Sequence, residues 1–211
     1  MSKIATQEAL KMLTDGNARF TAGTRLHPHE TLDRVKETAM NGQHPFVTIL
    51  SCSDSRVPLN IIFDQGIGDI FSICVAGNLV GEHGLGSIEY GVAHLGTPLC
   101  VVLGHTKCGA VIAACTGGGD EGNIASLMQA IRPAVQQTET ATGQAGKEMV
   151  ESCARHNVFY QIEVLCKRSS ILREAVQSGQ LLIVGAFYDI ESGKVEILGQ
   201  HPKIEELIQE K

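Results

Sequence analysis

The feature that most constrains the fold of this chain is an alternation of short apolar runs with helical patterns. Each run has the length and composition of a buried strand, and the four runs cover residues 46–51, 70–75, 99–103 and 181–187. Helical patterns lie between them, over residues 87–95, 110–115, 124–137 and 147–178. Strands that alternate with helices are typical of an α/β fold, in which a mostly parallel sheet is flanked by helices on both faces.

The two ends of the chain depart from this alternation. In the stretch YDIESGKVEIL, two strand-like runs flank the turn residues 191–193, which predicts a hairpin whose second strand is an antiparallel edge strand. Residues 4–20 and 30–40 show amphipathic helical patterns ahead of the first strand. These segments form an N-terminal helical arm, which we expect either to pack on the core or to reach a partner subunit.

Length and composition are those of an ordinary globular protein. A chain of 211 residues suits one domain, here a helical arm over 1–41 and an α/β core over 42–211. The net charge of −6, with no block of lysines and arginines, argues against nucleic acid or a membrane as a partner. The first residues, MSKIATQEALKML, lack the apolar core of a signal peptide, so we expect a cytoplasmic protein.

The cysteines do not have the pattern of a disulfide framework. There are seven, an odd number, irregularly spaced in a chain large enough to fold without cross-links. Reduced thiols or metal ligands are therefore expected. Five of them lie inside predicted strands or helices, where a buried structural role is favoured: Cys74, Cys100, Cys115, Cys153 and Cys166.

The remaining two cysteines stand near a histidine in a pattern that suits a metal. His105 and Cys108 follow the third apolar run in the stretch LGHTKCGAV, and Cys52 follows the first run. Ligands of open α/β sheets bind beyond the carboxyl ends of the strands, so these three side chains can converge. A Cys₂His set leaves the fourth tetrahedral position of zinc open, as in catalytic sites. The spacing H-x-x-C alone is weak evidence, and buried structural cysteines remain the alternative.

At this point the sequence resembles a known family. CSDSRVP followed by GHTKCGAV looks like the β-class carbonic anhydrases, and NARF, IFDQGIGDIF, VAGN and SIEYGVAHLG read like the bacterial members. The resemblance implies an α/β fold, a dimer or tetramer, and one zinc per chain bound by Cys52, His105 and Cys108. It also implies that Asp54 and Arg56 are the catalytic pair.

The resemblance further implies a substrate site and a reaction. In the plant-like subtype, a glutamine and aromatic rings line the carbon dioxide site at a subunit interface, and this pocket is matched by Gln43, Phe71 and Tyr90. Gly109 would keep side-chain atoms away from the metal. The reaction would be the reversible hydration of carbon dioxide to bicarbonate and a proton, by attack of a zinc-bound hydroxide.

Two positions depart from the family pattern. Cys74 stands where many members have an arginine before VAGN, and Asn60 stands where a glutamate is frequent. Some members bind bicarbonate at a second site built around that arginine, which favours a closed form with the aspartate on zinc. A thiol has no planar fork of donors, so we expect an open zinc with Asp54 turned to Arg56.

Other functions remain open on the sequence. A hydrolase of carbonyl sulfide or carbon disulfide could use the same scaffold and the same hydroxide. A non-catalytic zinc protein, structural or redox-sensing, would close the site with a fourth protein ligand such as Asp54. We also expect the first helix to cross onto a partner in an obligate dimer, because the segment is apolar at helical spacing at Ile4, Leu10, Leu13 and Phe20.

Overall fold

A five-stranded sheet forms the centre of the protein, as seen in a computed structural model that describes residues 5–209. The strands are β1 Val47–Ser51, β2 Ile70–Cys74, β3 Leu99–His105, β4 Leu182–Tyr188 and β5 Val195–Gly199. Their order across the sheet is β2-β1-β3-β4-β5. The first four strands are parallel and β5 pairs antiparallel with β4, so the predicted mostly parallel sheet with an antiparallel edge strand is confirmed.

Helices cover both faces of this sheet. They are α1 Thr6–Ala22, α2 Leu32–Asn41, α3 Leu59–Ile62, α4 Glu82–Ala93, α5 Gly109–Thr116, α6 Ile124–Thr142, α7 Val150–Arg168, α8 Ser170–Gln177 and α9 Ile204–Leu207. Short 3₁₀ turns precede α4 and α7, at Ala76–Asn78 and Gly146–Met149. Among the described residues, no helix is both long and apolar enough to cross a lipid bilayer.

Successive residues of the central strands supply two separate apolar cores, because side chains alternate across a strand. Leu50, Val102 and Ile183 face a core shared with α4 to α8, while Ile49 and Val101 face a core shared with α1 and α3. All residues of β1 and β3 are buried. This burial on both faces is why these strands are continuous apolar runs in the sequence.

Strand register brings the ends of β1 and β3 to one edge of the sheet. Ser51, the last residue of β1, pairs with Leu103 of β3. Cys52 therefore leaves the sheet beside the last residues of β3, and β3 ends at His105. Strand β3 extends beyond the predicted run 99–103, because Gly104 and His105 pair with Phe187 and Tyr188 of β4. Gly104 lies under α7, where a Cβ would come within 2.6 Å of Val158 Cγ2.

The long helix predicted over 147–178 is wrong. A 3₁₀ turn replaces its start, and Ser169 interrupts it with extended backbone, φ −125° and ψ 109°. The Ser169 hydroxyl accepts a hydrogen bond from the N–H of Leu172, so it caps a new helix, α8. The capping serine is the signal that helical periodicity alone does not register.

The N-terminal helix packs on its own chain, and contact of its remaining surface with a partner stays a prediction. Leu13 is fully buried in the core beneath the sheet, and Ile4 lies outside the described residues. A Cβ at Gly16 would lie 1.8 Å from the Phe63 carbonyl oxygen. Asn17 Nδ2 donates to the carbonyls of Ile62 and Gly193, both at 2.9 Å. By contrast, no residue of α2 is buried.

Candidate metal centre

Three buried side chains converge at the shared edge of β1 and β3. One ligand atom from each of Cys52, His105 and Cys108 lies within 4.8 Å of the others. The two sulfurs are 3.9 Å apart, and the residues are 6%, 1% and 1% exposed. The sequence-based expectation that these residues converge is met, and the group could bind a metal ion.

Each side chain is positioned by the end of a regular element. Cys52 follows β1, His105 ends β3, and Cys108 is the N-cap of α5. Lys107 adopts a left-handed backbone, φ 56°, in the tight turn between His105 and Cys108. The first N–H groups of α5, at Ala110 and Val111, donate to the Cys108 sulfur. A helix N-terminus favours a thiolate in this position.

His105 presents an unprotonated nitrogen to the two sulfurs. Its Nδ1 lies 2.9 Å from the Thr106 carbonyl oxygen, which can only accept, so Nδ1 carries the proton. Its Nε2 is buried and has no hydrogen-bond partner within the described residues. A buried, unpaired lone pair is costly unless something binds it. A metal ion between Nε2 and the two sulfurs removes that cost, so the residues fit a zinc ion.

The hydrogen bonds around Cys52 favour its thiolate. The Cys108 thiol, first, and the Gly77 N–H donate to the Cys52 sulfur, and these contacts lower the pKa of Cys52 to about 4. The Gly77 nitrogen lies 3.3 Å from the Cys52 sulfur. The hydrogen bond that the Cys108 thiol donates to Cys52 raises the pKa of Cys108, and burial and the charge of Cys52 raise it further. A divalent cation bound to both sulfurs would displace the shared proton.

Asp54 and Arg56 form a bidentate ion pair next to the thiols. Arg56 Nε and Nη2 lie 2.9 Å and 2.8 Å from the two oxygens of Asp54. Arg56 Nη2 also donates to the Lys107 carbonyl, which ties the pair to the loop that carries Cys108. The Arg56 side chain lowers the pKa of Asp54 to about 2. Asp54 is thus a carboxylate above about pH 3, and it is turned to Arg56 as expected.

The residues expected to bind substrate do not meet the thiols within one chain. The Phe71 and Tyr90 rings lie 6.1 Å apart, and Tyr90 stacks on His94 at 5.1 Å. Gln43 and Tyr90 line a surface hollow between α2 and α4, whose lining includes none of the three metal-binding candidates. Tyr90 is 49% exposed. A side chain at Gly109 would meet open space.

Both departures from the family pattern have a clear local setting. Asn60 Nδ2 donates to the carbonyls of Gln65 and Gly66, at 3.3 Å and 3.0 Å, so it holds the turn after α3. Cys74 is exposed at the end of β2, which corrects the expectation that it is a core residue. It is exposed because β2 is the edge strand of the sheet.

Sequence reasoning missed two contacts on the proposed ligands. The Thr106 carbonyl fixes the His105 tautomer, and the Gly77 N–H contacts Cys52. The first is a main-chain contact that leaves no side-chain signal. For the second, the glycine in VAGN was a usable signal, because Gly77 has φ 72°, a backbone that favours glycine.

Comparison with known proteins gives a consistent result. The family model described as carbonic anhydrase matches residues 47–195. Carbonic anhydrase 2 of Mycobacterium tuberculosis is 38% identical over 197 residues, which is 92% of this chain and 92% of that protein. The carbonic anhydrase of Mycolicibacterium smegmatis is 38% identical over 190 residues, 90% of this chain and 91% of the relative.

Solved structures give the same likeness. A β-carbonic anhydrase of Aspergillus fumigatus superimposes with a TM-score of 0.75 at 28% identity, covering 96% of this chain and 94% of the other. One from a report of two tetrameric β-carbonic anhydrases of Sordaria macrospora gives a TM-score of 0.71 at 27% identity, covering 90% of this chain and 96% of the other.

Proposed function

The chain belongs to the β-carbonic anhydrase family, and we propose that it hydrates carbon dioxide reversibly with one zinc ion held by Cys52, His105 and Cys108. The observation that carries this proposal is the buried, unpartnered Nε2 of His105 facing two sulfurs. Two thiolates and an imidazole are ligands that zinc prefers, and three protein ligands leave a position for a reactant. When bound, zinc would acidify a water molecule and so supply a nucleophile near neutral pH.

Asp54 and Arg56 would orient that nucleophile. Asp54 is a carboxylate at neutral pH, so it can only accept a hydrogen bond. The bidentate contact with Arg56 fixes the plane of the carboxylate and favours an orientation away from the metal position. This supports an open metal site and argues against the alternative of a non-catalytic site closed by Asp54.

A second copy of the chain would complete the substrate pocket. Gln43 and Tyr90 line a hollow apart from the thiols, together with the exposed apolar residues Val35 and Ile67. An exposed apolar patch of this kind marks an interaction site. In a dimer, this surface would bring Gln43, Phe71 and Tyr90 to the partner's metal centre. Carbon dioxide is apolar with weak acceptor ends, which suits two rings and one amide.

We propose a cytoplasmic location, because the thiols suit a reducing compartment. No disulfide joins any of the seven cysteines, all of which lie in the described part of the chain, and Cys52 and Cys108 would be oxidised to a disulfide more readily where disulfides form. Zinc content and stopped-flow carbon dioxide hydration of the purified protein test the central proposal. A protein without zinc, or with zinc and no hydration, contradicts it.

Replacing Asp54 with Asn, or Arg56 with Ala, is expected to keep the zinc and to lower the hydration rate by roughly 10²–10⁴-fold. One positioned hydrogen-bonding or acid–base group is typically worth that factor. Stopped-flow hydration with metal analysis checks both variants. Asp33→Asn is the matched control, because the Asp33 carboxylate is 90% exposed and pairs with Lys36 on the surface. If both site variants hydrate carbon dioxide at the parental rate, the ion pair of Asp54 and Arg56 serves only to stabilise the loop.

Hydration activity is expected to rise towards alkaline pH, with a midpoint above that of zinc enzymes with three histidine ligands. Two thiolates neutralise the charge of the zinc and so acidify water less than three imidazoles do. Titration of Asp54 cannot cause this rise in activity, because Arg56 lowers the pKa of Asp54 to about 2. The pH dependence of kcat checks the sign, and activity already saturated at mildly acidic pH would contradict it.

A further inference from the structure

We propose that Asn157 and Gln161, two buried amides of α7, are positioning residues of the metal centre. They hold the 76–80 loop so that the N–H of Gly77 donates to the Cys52 sulfur. The inference rests on the proposed metal-binding role of Cys52, and nothing in the sequence comparison assigns a role to either amide.

A continuous chain of hydrogen bonds connects α7 to the metal-binding candidates. Asn157 Nδ2 donates to the Gly77 carbonyl at 2.9 Å, and the Gly77 N–H donates to Cys52 Sγ at 3.3 Å. Gln161 Nε2 donates to Asn157 Oδ1 at 3.1 Å and so fixes the orientation of the Asn157 amide. Gln161 Oε1 accepts from the Val80 N–H at 2.9 Å. The loop is thereby held at both ends by one helix.

Spacing on α7 explains how one helix can hold the loop. Asn157 and Gln161 are four residues apart, so they share a face. Arg168 extends the contact, since its Nη1 donates to the Val80 carbonyl at 3.2 Å. Both polar groups of the Val80 backbone are therefore bound by α7. Asn157 is fully buried and Gln161 is 2% exposed, although the same face of α7 is otherwise apolar.

The backbone of the loop is one that outside contacts hold in place. Gly77 and Asn78 both have left-handed backbones, at φ 72° and φ 48°. Glycine and asparagine adopt this region more readily than other residues, so the sequence permits the turn and the surrounding contacts fix its orientation. Contacts around Gly77 are also tight, because a Cβ there would lie 3.0 Å from Ile131 Cδ1. The amides of α7 supply the directional part of this support, since they bond the loop's own peptide groups.

The Gly77 hydrogen bond has a chemical consequence at the metal. An N–H that donates to a thiolate withdraws charge from the sulfur and stabilises its deprotonated form. Outer contacts of this kind orient a ligand and set its strength as a donor, and their loss typically costs 10–100-fold in metal affinity or activity. Asn157 thus acts on the metal through Gly77 and Cys52, without touching it.

The test measures the zinc affinity of Asn157 variants by competition with a chromophoric chelator. Asn157→Leu is similar in size and removes both functions of the amide, while Asn157→Asp keeps the acceptor for Gln161 and loses the donor to Gly77. Both are expected to bind zinc about 10–100-fold more weakly than the parent. In the cobalt(II)-substituted protein, the thiolate-to-metal charge-transfer band should move to longer wavelength, because the sulfur loses a stabilising donor.

Thr138→Val is the matched control, since it also removes a buried hydrogen-bonding group from this core. Thr138 is fully buried and bonds the Ala134 carbonyl and His156 at 2.7 Å each. This control should keep the parental affinity and band. Folded Asn157 variants that match the parent in both measurements would overturn the inference.

Gln161→Met decides the question if the Asn157 variants do not fold. This variant keeps the Asn157 amide that donates to the Gly77 carbonyl but removes the Gln161 amide that orients it. A smaller change of zinc affinity and of the band in the same direction is therefore expected, and parental values would again overturn the inference. Carbon dioxide hydration by the parent is recorded separately. A parent that binds zinc without hydrating carbon dioxide contradicts the proposed function, while the metal affinities still decide the role of the amides.

Discussion

Replacing Cys108 with Ala is expected to release the zinc and to abolish carbon dioxide hydration. The substitution removes one of two sulfurs, leaves His105 Nε2 facing a single thiolate, and takes away the ligand held by the N-terminus of α5. A zinc site with two protein ligands no longer competes with the ligands available in solution. Metal analysis of the purified variant and stopped-flow hydration provide the measurement.

Cys100→Ala is the matched control for this experiment. Cys100 is a fully buried cysteine of β3, so the two variants lose the same side-chain atom from the same core. Burial raises the pKa of the Cys100 thiol to about 12, and it therefore stays protonated. This control should keep stoichiometric zinc and nearly parental hydration. A Cys108→Ala protein that keeps both would show that the metal is bound elsewhere.

Introducing a carboxylate into the apolar hollow, as Val35→Glu, is expected to dissociate the oligomer and to remove most of the activity. Val35, Ile67 and Tyr90 line this surface and are 42%, 37% and 49% exposed. An unpaired charge buried in an interface costs about 3–5 kcal/mol, and about 1.4 kcal/mol changes affinity tenfold. A two-fold symmetric contact carries the substitution twice, so association should weaken by at least roughly 10²–10³-fold.

Sedimentation velocity measures the association, and hydration measured at the same protein concentrations shows whether activity follows it. Ile171→Glu is the control, because Ile171 is 41% exposed on α8 and does not line this hollow. It should leave both properties unchanged. A Val35→Glu protein that stays associated would place the interface elsewhere. A dissociated variant with parental activity would show that Gln43 and Tyr90 serve no site on a partner.

The sheet was predictable because burial on both faces leaves a plain signal. β1 and β3 are continuous apolar runs and were assigned within two residues. Periodicity failed where a single polar residue decides the structure, as at Ser169, whose hydroxyl starts a new helix. For α1, the apolar stripe predicts burial but does not tell whether the chain or a partner covers each residue.

The candidate metal centre was predictable in its residue types and not in its hydrogen bonds. Cys52, His105 and Cys108 follow strands that end at one edge, and that rule brings them together. The contact from the Thr106 carbonyl depends on a backbone direction that no residue type encodes, whereas the glycine of VAGN was a usable signal for the contact from Gly77. Asn157 and Gln161 left a readable signal, since two amides four residues apart interrupt an otherwise apolar face of α7.

The strand order has a consequence for the order in which this protein is assembled. Cys52 and His105 leave strands that are neighbours in the sheet, but β2 and α4 lie between them along the chain. His105 and Cys108 are close in the sequence, but Cys52 is distant from both, so no short segment carries the whole ligand set. In small zinc modules, closely spaced ligands let the metal drive folding. Here the complete ligand set forms only when β1 and β3 pair, so we expect the metal to bind a chain whose sheet has already formed.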